Sequence, residues 1–365
     1  MNTSSMLICT LALGCLQACA GRSLDLDQGA GSSSNGTDPV GIEATQVPTS
    51  IRELDADDTR VYWSTIASSA QSCIFDRCNS TTVSYGPASG PLALGEEDVF
   101  FPLNAHDSRL PSGREVECPK TSCLGRPSEL LDDPTSSVLF AAVDAQYFYW
   151  SSSTDIYRCP LTGCGEFPEV VAKDETTNGG LIVDGDTVFW TFPVDATDPN
   201  GESQIHSAPK DGSHPPKLVA NGVGLAPYAV VNFAVDATTV YWLDSSSRVQ
   251  SCPRAGCDGQ APVTLVATDG AKQTLRVDAT GLYWLETADL VGDWFSAQSG
   301  AVDHVSIRFC ALTGCANDAE VRVLTPSKVS QFAMSSKYLY WDEHEVYGNY
   351  TYGDSKQIFR LAKPQ

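Results

Sequence analysis

Positive charge is scarce in this chain, with 23 Lys and Arg against 45 Asp and Glu, a formal net charge of -22. Nucleic-acid affinity rests on basic side chains neutralising phosphates, so no nucleic acid is expected as a partner. An anionic membrane surface is disfavoured on the same ground. Long apolar runs are also missing: Met6 to Ala18 is uncharged and mostly apolar, but too short to span a bilayer. Helical periodicity is nearly absent, because 29 Gly and 21 Pro interrupt the chain every few residues. Histidine occurs five times, at His106, His206, His214, His304 and His344, never in a catalytic spacing. There is no Gly-x-Ser-x-Gly elbow, no His-Glu-x-x-His and no phosphate-cradling glycine loop.

What is present is a repeat. Phe233-Ala-Val-Asp-Ala-Thr-Thr-Val-Tyr-Trp-Leu-Asp244, followed by Arg248 to Cys257, recurs in imperfect copies centred on Trp63, Phe101, Trp150, Trp190, Trp242, Trp284 and Trp341. Successive centres lie 38 to 57 residues apart, a period that signals propellers or solenoids. Each unit holds four short β-branched or aromatic runs separated by turn residues. Four antiparallel strands repeated seven times predict an all-β fold, a β-propeller of seven blades, or six if the second unit, whose Val99-Phe-Phe101 anchor lacks Trp, is irregular. The last unit ends without a fourth strand. Glu43 to Pro48, placed before the first unit as Val263 to Ala267 is placed before the sixth, is predicted to complete it and close the ring.

All charged residues follow Cys19. The apolar stretch before it suits a signal peptide, and Leu16-Gln-Ala-Cys19 resembles the bacterial lipobox, which implies cleavage before Cys19 and its lipidation. Residues 1–18 are therefore assigned to a signal peptide, 19–40 to the lipidated cysteine and a Gly/Ser-rich tether, and 41–365 to one propeller domain. The expected location is the outer membrane or cell surface, with a periplasmic or secreted protein as the alternative. Contact with membrane would come through the lipid alone.

Of thirteen cysteines, ten form five pairs at one spacing: Cys73/Cys78, Cys118/Cys123, Cys159/Cys164, Cys252/Cys257 and Cys310/Cys315. In the fourth unit Ala208 and Ser213 replace both members together, as a disulfide partnership requires. Zinc would need four ligands around one ion, and redox motifs use a tighter spacing, so local disulfides and an oxidising compartment are predicted. They would staple the turn between third and fourth strands.

Propeller turns after strands one and three share one face, and those after strands two and four share the other. The second-to-third connection is short in units one, three and five and long in units two, four, six and seven. The long ones in units six and seven carry Trp294, Phe295, His304, His344, Tyr347, Tyr350 and Tyr352 on neighbouring blades, with carboxylates nearby. Exposed rings beside carboxylates suit sugar stacking or a protein hot spot, so these seven residues are the candidate binding patch. The alternative is that the loops bury their own rings. A repeated Asp at the end of the first strand, at Asp55, Asp144, Asp184, Asp236 and Asp278, is read as an Asx-turn cap, with structural calcium as the sharper alternative. No cofactor is expected otherwise, and no catalytic residue is assigned.

Asp236-Ala-Thr-Thr-Val-Tyr-Trp242 and Asp278-Ala-Thr-Gly-Leu-Tyr-Trp284 resemble the Tyr-Trp-Thr-Asp repeats of low-density-lipoprotein-receptor-type propellers. With the Cys-Pro-x-x-Gly-Cys turns at Cys159 to Cys164 and Cys252 to Cys257, they are more similar still to cysteine-rich propeller lipoproteins of myxobacteria. The resemblance implies an architecture and a surface location, not a ligand. The functional expectation is a cell-surface module binding a protein or carbohydrate. The alternatives are an extracytoplasmic lyase or hydrolase with His304 or His344 as general base, and a purely structural envelope protein.

Overall fold

The computed structural model describes residues 42 to 364, apart from 48–50, 66–68, 89–91, 103–113, 124–127, 133–137, 165–167, 178, 196–201, 225–231, 258, 268–270, 288–304, 313–314, 316–320, 326–328, 344–345, 348–350 and 353–356. Cys19 and the leader lie outside these residues. Seven four-stranded antiparallel sheets form a seven-bladed β-propeller. In blade five the strands are Phe233–Val235, Thr239–Leu243, Val249–Pro253 and Val263–Val266, in the order the repeat predicts. The second blade is regular, with Phe101 in the place of the missing Trp and fully buried.

The Val-Tyr-Trp segment builds the ring because successive side chains on a strand point to opposite faces. Val240 and Trp242 pack against Phe189, Ile205 and Val219 of blade four. Tyr241 and Leu243, between and beyond them, pack against Leu275, Leu282 and Trp284 of blade six. The same alternation recurs, so seven buried clusters of described residues each join one pair of neighbouring blades. All six blade tryptophans are inaccessible to solvent.

The ring closes as predicted: Glu43–Gln46 pairs with Gln357–Ala362 in the last blade, in the register Glu43↔Arg360 to Gln46↔Gln357. Most side chains of this closing strand are exposed, so its hold rests on backbone pairing, on buried Val47 and on Arg360. The Arg360 guanidinium stacks on Phe75 and Tyr338, 4.3 and 4.6 Å from the ring centres, and pairs with Glu43 and with Asp76 of blade one. One side chain thus fastens the closing strand to the first blade.

All five predicted cysteine pairs are bonded, Cys73 to Cys78, Cys118 to Cys123, Cys159 to Cys164, Cys252 to Cys257 and Cys310 to Cys315, with Cα atoms 4.8–5.3 Å apart. The expected role, a staple confined to one turn, is too narrow: each bond places at least one cysteine in a buried cluster joining neighbouring blades, and three of them place both. Cys123 is buried in the cluster joining blades one and two, beside Tyr85 and Val116, and Cys315 in the cluster joining blades five and six. Their sulfurs therefore fill core between blades as well as closing a loop, as a small apolar side chain would. A short helical segment, Phe75–Arg77 continued by Cys78–Thr81, fills the first of these turns.

Candidate functional site

The two faces of the ring are built differently. On the face bearing the disulfide turns, the repeated Asp does more than cap. Asp144 Oδ1 accepts the amides of Gln146 and Tyr147, while Oδ2 accepts the Tyr149 hydroxyl at 3.0 Å and the Lys210 ammonium of blade four at 3.0 Å. Asp278 is bonded in the same way to Thr280, Gly281 and Lys363 of blade seven, and Asp184 pairs with Arg254 of blade five. Burial pushes the Asp144 and Asp278 carboxyls up, but the hydrogen bonds outweigh it and hold both below the usual carboxylate range.

Each cation stands just past the end of its blade's third strand, so the contact latches one blade to the next. Asp236 has the same turn and the Tyr241 hydroxyl at 2.8 Å, but its carboxylate has no basic partner among the described residues; Leu312 stands in the corresponding position of blade six. Burial and the Asp236 bond push Tyr241 up to about 12.

In blade one the structure corrects the assignment of the repeat. The capping carboxylate is Asp57, not Asp55: Asp57 accepts the amides of Thr59 and Arg60, the Tyr62 hydroxyl at 2.8 Å and the Lys120 ammonium of blade two at 2.7 Å. Asp55 instead sits inside the strand opposite Tyr62, where burial pushes its carboxyl up against the opposing influence of Arg276. Among the described residues no group of three or more His, Cys, Asp and Glu is placed to hold a metal ion.

The opposite face carries the long second-to-third connections, spanning 103–113, 194–202, 288–304 and 344–356. Trp294, Phe295, His304, His344 and Tyr350 of the predicted patch lie outside the described residues. Tyr347 and Tyr352 fall in a two-stranded hairpin, Val346–Tyr347 with Thr351–Tyr352, registered Tyr347↔Thr351. Where these connections leave blades six and seven, a carboxylate two residues past each tryptophan accepts its indole N–H, Trp284 to Glu286 at 2.9 Å and Trp341 to Glu343 at 3.4 Å. Glu286 is buried, with Lys272 Nζ at 3.6 Å and Arg308 at 3.4 Å. Together they make a buried ionic cluster at this end of blade six.

Blade four holds the one described carboxylate–imidazole pair on this face. Glu175, in the crossover from blade three, accepts the Trp190 indole at 3.0 Å and faces His206 Nδ1 at 2.9 Å. Sequence reading missed it because Glu175 lies 31 residues from His206 and in no motif. Both ring nitrogens are engaged, since His206 Nε2 is 3.0 Å from Gln204 Oε1.

No protein-family model and no curated protein matches this sequence. Solved structures do. One described as YCF48 bound to D1 peptide is 8% identical over 90% of this chain and 97% of that chain, with a TM-score of 0.57. The propeller domain of the Trilobed protease from Pyrococcus furiosus is 9% identical over 86% and 97%, TM-score 0.55. The tricorn protease is 10% identical over 89% of this chain but only 34% of that one, TM-score 0.59. At such identities the likeness shows the fold alone, a β-propeller.

Proposed function

We propose that this chain is an exported, lipid-anchored propeller that binds a protein or carbohydrate at the cell surface through the face carrying its long insertions. The observation that carries the reading is the asymmetry between faces. One face is closed by disulfides and interblade latches, whereas the other carries the long connections, two of them on adjacent blades, each beginning beside a tryptophan–glutamate hydrogen bond. Stapling one side and varying the other is how a rigid scaffold serves a recognition surface. The bonded cysteines suit an oxidising compartment and hence export. The closing strand runs so that its Glu43 end, leading back to Cys19, lies on the disulfide face, opposite the insertions. A similar propeller, by its description, holds a peptide, which supports a protein ligand.

A screen of the purified protein against glycans and surface proteins, run beside a variant with Trp294, Tyr347 and Tyr350 changed to Ala, tests the reading. A ligand lost in the variant at unchanged Tm supports it; a ligand retained removes the patch. Cys19→Ser moving the protein from membrane to soluble fractions tests the anchor separately.

A further inference from the structure

We infer that Glu175 and His206 form a proton-operated clasp that fastens the blade-three-to-four crossover to the insertion face. The two side chains are 12% and 14% exposed, and the His206 ring lies flat on Phe192, 4.7 Å between centres and 7° between planes. The imidazole therefore cannot swing away without uncovering an aromatic face. Its Nδ1 meets the Glu175 carboxylate, and its Nε2 meets the carbonyl oxygen of Gln204. Gln204 is held in that orientation by donating its amide to Asn221 Oδ1 at 2.9 Å.

With the amides so placed, both ring nitrogens face acceptors, and only the imidazolium donates to both. Loss of the proton turns Nε2 into an acceptor. Gln204 must then present its NH2 group, and Asn221 must invert with it to keep the chain of bonds. One frame thus has two hydrogen-bond arrangements, chosen by one proton. The Glu175 carboxylate makes the Nδ1 bond charge-assisted in both arrangements, and the charged one adds an ion pair that ties the crossover more firmly.

The surroundings leave Glu175 as the charged partner. Trp190 and Phe192 of the second strand, Gln204 of the third, and Asn221 and the cross-strand neighbour Leu218 of the outer strand are uncharged. Glu202, at the hairpin tip, is bonded to Ser245 of blade five. Asp155 of blade three holds the crossover's Asp174 amide rather than the imidazole.

Nuclear magnetic resonance of the whole protein between pH 4 and 9 tests this. The probes are the His206 ring, the Trp190 indole N–H bonded to Glu175, and the Asn221 side-chain amide. The Trp190 and Asn221 signals should shift with the same midpoint as His206. Indole exchange, corrected for its intrinsic pH dependence, should be faster by up to about fivefold once His206 is neutral, the worth of a partly exposed ion pair. His206→Gln should abolish the pH dependence, and Glu175→Gln should abolish it at the indole while His206 still titrates. An Asn221 amide that is silent through the His206 titration overturns the clasp. So does corrected exchange that is constant in the wild type, or a His206 ring that keeps one protonation state throughout. The wild-type titration decides alone if either variant fails to fold, and none of these outcomes depends on the binding function.

Discussion

Asp57 and Asp236 occupy equivalent turns but differ in one respect, and that difference yields a quantitative prediction. Both accept two backbone amides and a threonine hydroxyl on Oδ1 and a buried-strand tyrosine on Oδ2. Only Asp57 also holds a cation from the next blade, Lys120, whose side chain is 13% exposed. Replacing either by Ala removes the shared bonds, which at a partly solvated turn is worth about 1–2 kcal/mol. Asp57→Ala further strands a nearly buried ammonium, at a cost of about 2 kcal/mol more. Relief of repulsion on Asp55, which the Asp57 charge pushes up, returns a fraction of that. We therefore expect about 3–4 kcal/mol for Asp57→Ala and about 1–2 for Asp236→Ala. Urea unfolding with the disulfides intact, followed by tryptophan fluorescence, measures both, and a cycle with Lys120→Met isolates the pair. Equal costs at the two aspartates, or a coupling near zero, would refute the latch as a stabilising device.

Acid should act through the same groups. The folded-state carboxyls of Asp57, Asp144 and Asp278 are held low, so their contribution is complete above the unfolded value of about 3.9 and is lost as pH falls through the lower folded values. Asp57→Asn should therefore lower stability at neutral pH and flatten its fall in strong acid, as read by pH-dependent unfolding midpoints. Asp55 has the opposite sign: its carboxyl is raised by burial, so its charge costs stability at neutral pH. Asp55→Asn should raise the unfolding midpoint at pH 7, with the gain shrinking towards pH 4. Arg360→Lys keeps the charge but loses the two ring stacks, and hydrogen exchange should show the Glu43–Gln46 amides opening before those of any other strand. Breaking one six-residue disulfide loop, by Cys252→Ala with Cys257→Ala, should cost about 2 kcal/mol in the chain-entropy account without altering the blade-five register.

The architecture was legible because its determinants are local. The Val-Tyr-Trp alternation dictates which neighbour each ring packs against, and joint replacement of both cysteines, by Ala208 and Ser213, marks the turn of blade four as one without the staple. The closing strand was legible from its position in the repeat frame. What the sequence hid are contacts between blades. The cysteine spacing announced the bonds, but not that their sulfurs would be buried between neighbouring blades. Lys120, Lys210, Arg254 and Lys363 meet their aspartates across 63, 66, 70 and 85 residues, yet each follows a third strand at one repeat position. Aligning the basic residues as the cysteines were aligned would have exposed the latch. The Asp55-Ala-Asp57-Asp58 run offered three carboxylates to one turn, and only the backbone pairing of Asp57 with Arg60 decides which one caps. Glu175 and His206 gave no signal because their partnership depends on a crossover path, not on spacing. The insertion aromatics are visible as composition, but their grouping is set by loop conformation, on which the repeat is silent.

The claim that recognition belongs to the insertion face is tested most directly by a hydrogen-exchange footprint of the complex with whichever ligand the screen returns. The account predicts protection confined to segments 287–305 and 343–357 and the neighbouring connections of that face. Protection centred on the cysteine turns, such as Cys159 to Cys164 and Cys252 to Cys257, with none at the insertions, would contradict it.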